Sequence, residues 1–192
     1  GRSTENYNMF EGIDKHRDLT LGFGGHPMAA GMTIKREDLG KFREALNGDC
    51  TLSYEDLLPS IFIDAEMPLS YASLNLARQV ESLGPFGKGN ERPVFNEDGL
   101  EVLGYRILGK NNNLLKIKLK DKAGRIFTVK SFRPQIFEDD INRWFTAQEC
   151  DKMKRGVYSG CKLDIVYQLD INEYDNNIEL DFLLKDYRRS NI

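Results

Sequence analysis

Residues 114–120 read Leu-Leu-Lys-Ile-Lys-Leu-Lys, an alternation that commits this part of the chain to an extended strand. Successive side chains of a strand point to opposite faces. Leu115, Ile117 and Leu119 therefore share one side, and Lys116, Lys118 and Lys120 share the other. Neighbouring stretches have the same character. Residues 101–108 and 126–132 read as strands, joined to the first by a Gly-Lys-Asn-Asn-Asn turn and by Asp-Lys-Ala-Gly. A helical interval follows around residues 146–154. Two longer strands, 162–172 and 178–185, then flank a turn at 173–177. Three strands, a helix and two strands is the order of a five-stranded OB-fold barrel.

Charge is distributed unevenly over this pattern. Eight basic residues and a single acid, Asp121, lie between Lys110 and Arg133, although the whole chain carries a formal charge of −3. Like charges at every second position repel one another, so the face is either simply solvated or meets an anionic partner. OB-folds grip oligonucleotides through such strands, which makes Lys116, Lys118, Lys120, Lys130 on the next strand, and Arg133 candidate contacts. Phe132, Tyr105 and Tyr167 are candidate stacking surfaces, although a small barrel needs most of its large side chains inside.

The first part of the chain follows a helical and turn-rich pattern. Tyr7, Phe10 and Ile13 stand near helical spacing after Ser3 or Thr4 as a cap. Residues 29–35 read as a strand and 36–47 as a helix with Leu39, Phe42 and Leu46 on one face and Gly48 as its stop signal. A short turn or helix at 53–58, a strand at 61–65 and a helix at 70–83 with Leu76, Val80 and Leu83 inward come next. Between the first helix and strand lies Phe23-Gly24-Gly25-His26-Pro27-Met28-Ala29-Ala30-Gly31. Adjacent glycines let a ligand or another backbone come close, and backbone N–H groups in such a turn form an anion-binding nest beside an imidazole donor. The structural alternative is a tight loop whose His26 is satisfied by a backbone carbonyl.

Pro85-Phe86-Gly87-Lys88-Gly89-Asn90, with Pro93 behind it, is the strongest punctuation in the chain. It reads as a rigid elbow, or as a phosphate contact through Lys88 and the N–H groups near Gly87 and Gly89. Cys50, Cys150 and Cys161 have no paired spacing and only His16 and His26 to join them. Neither a structural zinc site nor a disulfide framework is expected, and a reducing cytoplasm fits. No apolar run reaches the roughly 20 residues needed to span a bilayer. Glu138-Asp139-Asp140 is the one acidic cluster and has no histidine near it, while Asp164, Asp170, Glu179 and Asp181 read as a solvated strand face. Two-metal phosphodiester chemistry needs clustered carboxylates and histidines, so no catalytic site is expected here.

Three separated motifs, 23–31, Leu83-Gly84-Pro85-Phe86-Gly87-Lys88-Gly89-Asn90 and Tyr167-Gln168-Leu169-Asp170-Ile171-Asn172-Glu173-Tyr174, resemble the C-terminal part of the RecJ family within the DHH phosphoesterase superfamily. The resemblance covers essentially the whole chain. It implies an α+β architecture in which 1–49 is the later part of an α/β substrate-binding domain, 50–93 a connector and 94–192 the five-stranded OB-fold barrel. It also implies a complete enzyme that cuts single-stranded DNA from its 5′ end in repair and recombination. The manganese or magnesium ions would be held by an Asp-His-His domain absent from this chain, leaving the fragment inactive and metal-free. Arg2, Ser3, Gly24, Gly25 and His26 would then hold DNA phosphates near the cut, with single-strand-binding protein as a possible second partner. Two alternatives compete with this reading: a DHH phosphodiesterase acting on nanoRNA or cyclic dinucleotides, and an OB module that recruits proteins.

Overall fold

Helix α1 (Met9–Asp14) begins where the Asn8 side chain accepts the Glu11 N–H at 3.2 Å. The structure, a computed structural model, describes residues 1–175 and 177–191, which group into two units, Gly1–Ile61 and Phe62–Ile192. In the first unit the glycine-rich stretch is a β-hairpin rather than a loop. Strand β1 (Gly22–His26) pairs antiparallel with β2 (Ala29–Thr33), Gly24 opposite Gly31 and His26 opposite Ala29. One hairpin face carries Phe23 and Ala30 and packs on Ile13 of α1 and Phe42 of α2 (Leu39–Gly48). The chain takes a tighter 3-10 turn at Arg36–Asp38 before α2 starts, which leaves the expected inward residue Leu39 exposed.

The second unit opens with two departures from expectation. The strand read at 61–65 shrinks to β3 (Ala65–Glu66), parallel to the start of β4 (Phe95–Leu108), and Phe62 is exposed. Helix α3 (Leu74–Glu81) starts only after the Ser73 cap. Ala77 and Val80 are buried on it, while Leu83 lies beyond its end and is exposed.

Beyond Pro93 the chain closes a five-stranded barrel. Strands β4, β5 (Leu114–Lys120) and β6 (Ile126–Ser131) form an antiparallel meander. Helices α4 (Pro134–Trp144) and α5 (Ala147–Arg155) follow. Strands β7 (Lys162–Tyr174) and β8 (Asn177–Arg189) pair with each other; β8 then joins β6 in parallel and β7 returns to β4. This closed mixed barrel has the strand order of an OB-fold, and its interior holds Leu115, Ile117, Leu119, Val129, Leu163, Ile165 and Tyr167.

Strand β4 can serve two neighbours because it bends. Its register shifts between Glu97 and Leu100 against β7, and between Val102 and Gly104 against β5, with Gly99 at φ 76°. Asp164 supports that bend, contrary to its reading as a solvated residue. It is buried, accepts the Gly99 N–H at 2.9 Å, and receives the Arg188 guanidinium at 2.9 Å on its other oxygen. Helix α4 was not anticipated. Pro134 takes the first helical position, where its missing N–H costs nothing, and Phe137 and Ile141 four residues apart are buried in the core cluster of the barrel. Helix α5 matches its expected place, with a Thr146–Glu149 capping box in front and Gly156 at φ 69° behind.

Candidate nucleic-acid interface

Register sets the basic face. The aliphatics Leu115, Ile117 and Leu119 of β5 are fully buried, so its lysines project from the barrel exterior. Across the sheet Lys116 stands between Arg106 on β4 and Lys130 on β6, giving a row of three cations over three strands. Lys118 lies between Gly104 and Thr128, and Lys120 between Glu101 and Ile126. Arg106 escaped the sequence reading, because its approach to Lys116 depends on the strand register.

These cations are not equivalent. Lys120 reaches Glu101 at 2.6 Å, and Lys130 pairs with Asp181 next to the parallel β6–β8 contact. The Arg133 guanidinium donates to the Lys185 carbonyl and keeps its charge outward. Among the described residues, no acid pairs with Arg106, Lys116 or Lys118, so this group holds unneutralised charge. The lone acid of the region, Asp121, is buried in the β5–β6 turn, where it accepts the N–H groups of Ala123 at 2.9 Å and Arg125 at 2.8 Å. Its role is turn geometry, and it subtracts nothing from the lysine row. Tyr105 and Tyr167 belong to the core; Tyr105 donates to Glu138 at 3.1 Å and Tyr167 to the Met67 carbonyl at 2.7 Å. Burial pushes both phenols well above the ordinary tyrosine range. Phe132 alone of that set is exposed, in the position just beyond the end of β6.

The hairpin of the first unit presents a second surface. Arg2 bridges to Ala29, and Ala29 also pairs with His26, so a low-bulk alanine separates a guanidinium from an imidazole. Ser3 is tied down by its N–H to the Met28 carbonyl at 2.9 Å and its hydroxyl to the Tyr7 carbonyl at 2.5 Å. The His26 imidazole is exposed and has no hydrogen-bond partner among the described residues. The two adjacent glycines differ in purpose. A Cβ on Gly25, at φ 150°, would sit 2.3 Å from the Ala29 carbonyl oxygen, so the hairpin itself requires glycine there. A Cβ on Gly24 would have nothing within 4 Å, and the same holds for Gly22 and Gly31, so the outward side of the hairpin is open.

Lys88 sits exposed at the tip of a tight turn in which Gly87 and Asn90 exchange both backbone hydrogen bonds, at 2.8 and 3.0 Å. The Gly87 N–H is therefore committed within the turn. The Asn90 amide also donates to the carbonyls of Leu83 and Pro85, each at 3.0 Å, which makes the segment a braced elbow. A concavity of about 480 Å³ lined by Glu66, Asn96, Glu97, Asp98, Asp121 and Arg125 lies elsewhere on the second unit. Burial raises the Glu97 carboxyl above its usual range, and its oxygen accepts the Leu69 N–H at 2.6 Å. No group of three or more His, Cys, Asp or Glu suited to a metal ion occurs among the described residues. The described residues therefore do not fit a two-metal centre. No helix among those residues is long and apolar enough to cross a membrane.

A model of the RecJ OB domain matches residues 63–186. The single-stranded-DNA-specific exonuclease RecJ of Bacillus subtilis is 28% identical over 187 residues, covering 96% of this chain and 22% of that protein. The protein of the same description from Haemophilus influenzae is 30% identical over 192 residues, covering 97% of this chain and 30% of its own length. The chain thus spans less than a third of these relatives. The crystal structure of RecJ in complex with Mg2+ from Thermus thermophilus superposes with a TM-score of 0.62 at 19% identity, covering 100% of this chain and 26% of that one, a likeness of fold.

Proposed function

The chain belongs to the RecJ OB domain family, and from that premise we propose that it is the nucleic-acid-binding portion of a RecJ-like 5′→3′ single-stranded-DNA exonuclease. The observation that carries this reading is the group Arg106, Lys116 and Lys118, unneutralised on the outer face of a closed OB barrel. Backbone phosphates are the ligand such a row suits, since adjacent cations two residues apart on a strand stand about 6.6 Å from each other, near the phosphate spacing of an extended single strand. Lys120, Lys130 and Arg133 extend the track, the first two with their carboxylate partners, and Lys88 at the tip of the braced elbow is a separate phosphate contact in this reading. Phe132 offers a ring to a base.

In the complete enzyme, Arg2, Ser3, Gly24, Gly25 and His26 would hold phosphates close to the scissile bond. Arg2 and His26 supply charge and a directed donor, Gly24 supplies clearance, and Gly25 and Ser3 hold the hairpin and the turn beside it in shape. Hydrolysis and its manganese or magnesium ions belong, in this proposal, to a segment of the parent outside these residues. The parent would work in cytoplasmic DNA repair and recombination, with single-strand-binding protein as a further partner.

The test is binding of labelled oligonucleotides to the purified chain over a salt series. Sequence-tolerant, steeply salt-dependent binding with no release of nucleotides in manganese or magnesium is expected. Binding of single-strand-binding protein without any affinity for oligonucleotide would replace this reading with that of a protein-recruiting module.

A further inference from the structure

Helix α5 and strand β7 are joined by Gly156-Val157-Tyr158-Ser159-Gly160, a loop outside the barrel strands. Tyr158 in that loop is 66% exposed, yet the loop around it is pinned at both ends. Gly156 and Gly160 take φ 69° and 75°, and the Val157 N–H returns to the Lys152 carbonyl at 2.8 Å. The Ser159 hydroxyl meets the Val102 carbonyl at 3.4 Å, and the Val102 N–H meets the Cys161 carbonyl at 2.8 Å. The ring is thereby held at the edge of the basic face, with the Lys120 ammonium 5.8 Å from its centroid. Lys120 already has Glu101 for its charge, so the ring is not needed to satisfy it.

We infer that Tyr158 is a base-stacking platform for single-stranded nucleic acid at the Lys120 end of the cationic row. The inference rests on the proposed binding of DNA by that row and adds a contact of a different physical kind. A solvent-facing ring on a hydrogen-bonded loop offers stacking area at little ordering cost, and every base has a face to stack. From Lys116 to Lys120 is about 13 Å of strand, roughly two nucleotide steps. A strand tracking the lysines therefore brings its next base to Tyr158, while Phe132 lies beyond the end of β6.

The experiment uses the full 192-residue chain, a labelled oligothymidine, and a strand of equal length whose sugars carry no bases. Tyr158→Ala is expected to weaken oligothymidine binding about tenfold, and Tyr158→Phe and Tyr158→Trp to stay within about twofold of the parent. The slope of affinity against salt should not change in any of the three, because the ring neutralises no phosphate. On the baseless strand Tyr158→Ala and the parent should bind equally. Unchanged oligothymidine affinity in Tyr158→Ala overturns the inference and leaves the lysine-row reading standing. An equal loss on the baseless strand also overturns it, by assigning the tyrosine to loop structure. A chain that binds neither strand removes both readings together.

Discussion

Glycines 24 and 25 look interchangeable in the sequence, and the hairpin separates them. Gly25→Ala has to push a methyl group against the Ala29 carbonyl oxygen at 2.3 Å from an unfavourable φ of 150°. We expect a loss of at least about 2 kcal/mol from the first unit, visible in thermal or urea unfolding. Gly24→Ala adds a methyl group into open space and should leave stability unchanged or slightly raised. In the complete enzyme the same Gly24→Ala would reduce activity, and a stable variant with full activity would remove Gly24 from the substrate surface. Asp164 makes the converse case. Burial alone would raise its carboxyl, but hydrogen bonds from Ser190, Arg188 and the Gly99 N–H hold it below the ordinary aspartate range. A depressed folded-state value contributes stability above the unfolded pKa of about 3.9 and loses it as pH falls through the folded value. Asp164→Asn should therefore cost about 2 kcal/mol at pH 7, and the gap to the parent should narrow below about pH 4. A gap that stays constant as the pH is lowered through the aspartate range would show that the carboxylate charge does not matter at the bulge.

Elements with strict alternation were legible from the sequence, and those depending on partners were not. Strand β5 occupies 114–120 as read, because a two-residue period with a fully aliphatic face has one solution. Helix α4 went unread because only Phe137 and Ile141 mark its buried face, and the strand at 61–65 failed because only Ala65 and Glu66 find a partner strand. The basic face was legible as lysines but not as net charge. Neutralisation of Lys120 by Glu101 and of Lys130 by Asp181, and the addition of Arg106, all follow from cross-strand register. That distinction yields a prediction on the whole face. Arg106, Lys116 and Lys118 changed together to Gln should flatten the plot of log affinity against log salt by about 2, at roughly 0.7 per phosphate contact. Glu101→Gln frees Lys120 and should steepen the same plot by about 0.7. A slope indifferent to both changes would mean that the face is merely solvated.

At the scale of the molecule, the two units have very different interiors. The core of Phe62–Ile192 includes the closed barrel, both α4 and α5, and the buried face of α3, with Leu115, Ile117, Leu119, Phe137, Ile141 and Tyr167 inaccessible to water. The core of Gly1–Ile61 consists of Ile13, Ala30 and Phe42, with Met9, Leu19, Phe23, Ile34 and Leu46 half-buried around them. Burial of apolar surface is the main term opposing chain entropy, and a unit of this size with so small an interior has little margin. Its sheet is a two-stranded hairpin, which contributes few protected amides. Local opening free energies should therefore divide at the boundary between Ile61 and Phe62. In native-state hydrogen exchange, amides of β1, β2 and α2 should exchange at least about 100-fold faster than those of β5 and β7, a difference of about 3 kcal/mol in opening free energy. In urea, the first unit should be lost at lower concentration than the barrel, giving two transitions when followed by exchange and one when followed by Trp144, which lies in the second unit. A chain consisting of residues 62–192 alone should keep the barrel's protection pattern. Equal protection across the two units, with a single urea midpoint for every amide, would mean that the small core of Gly1–Ile61 is stabilised by more than its own buried residues.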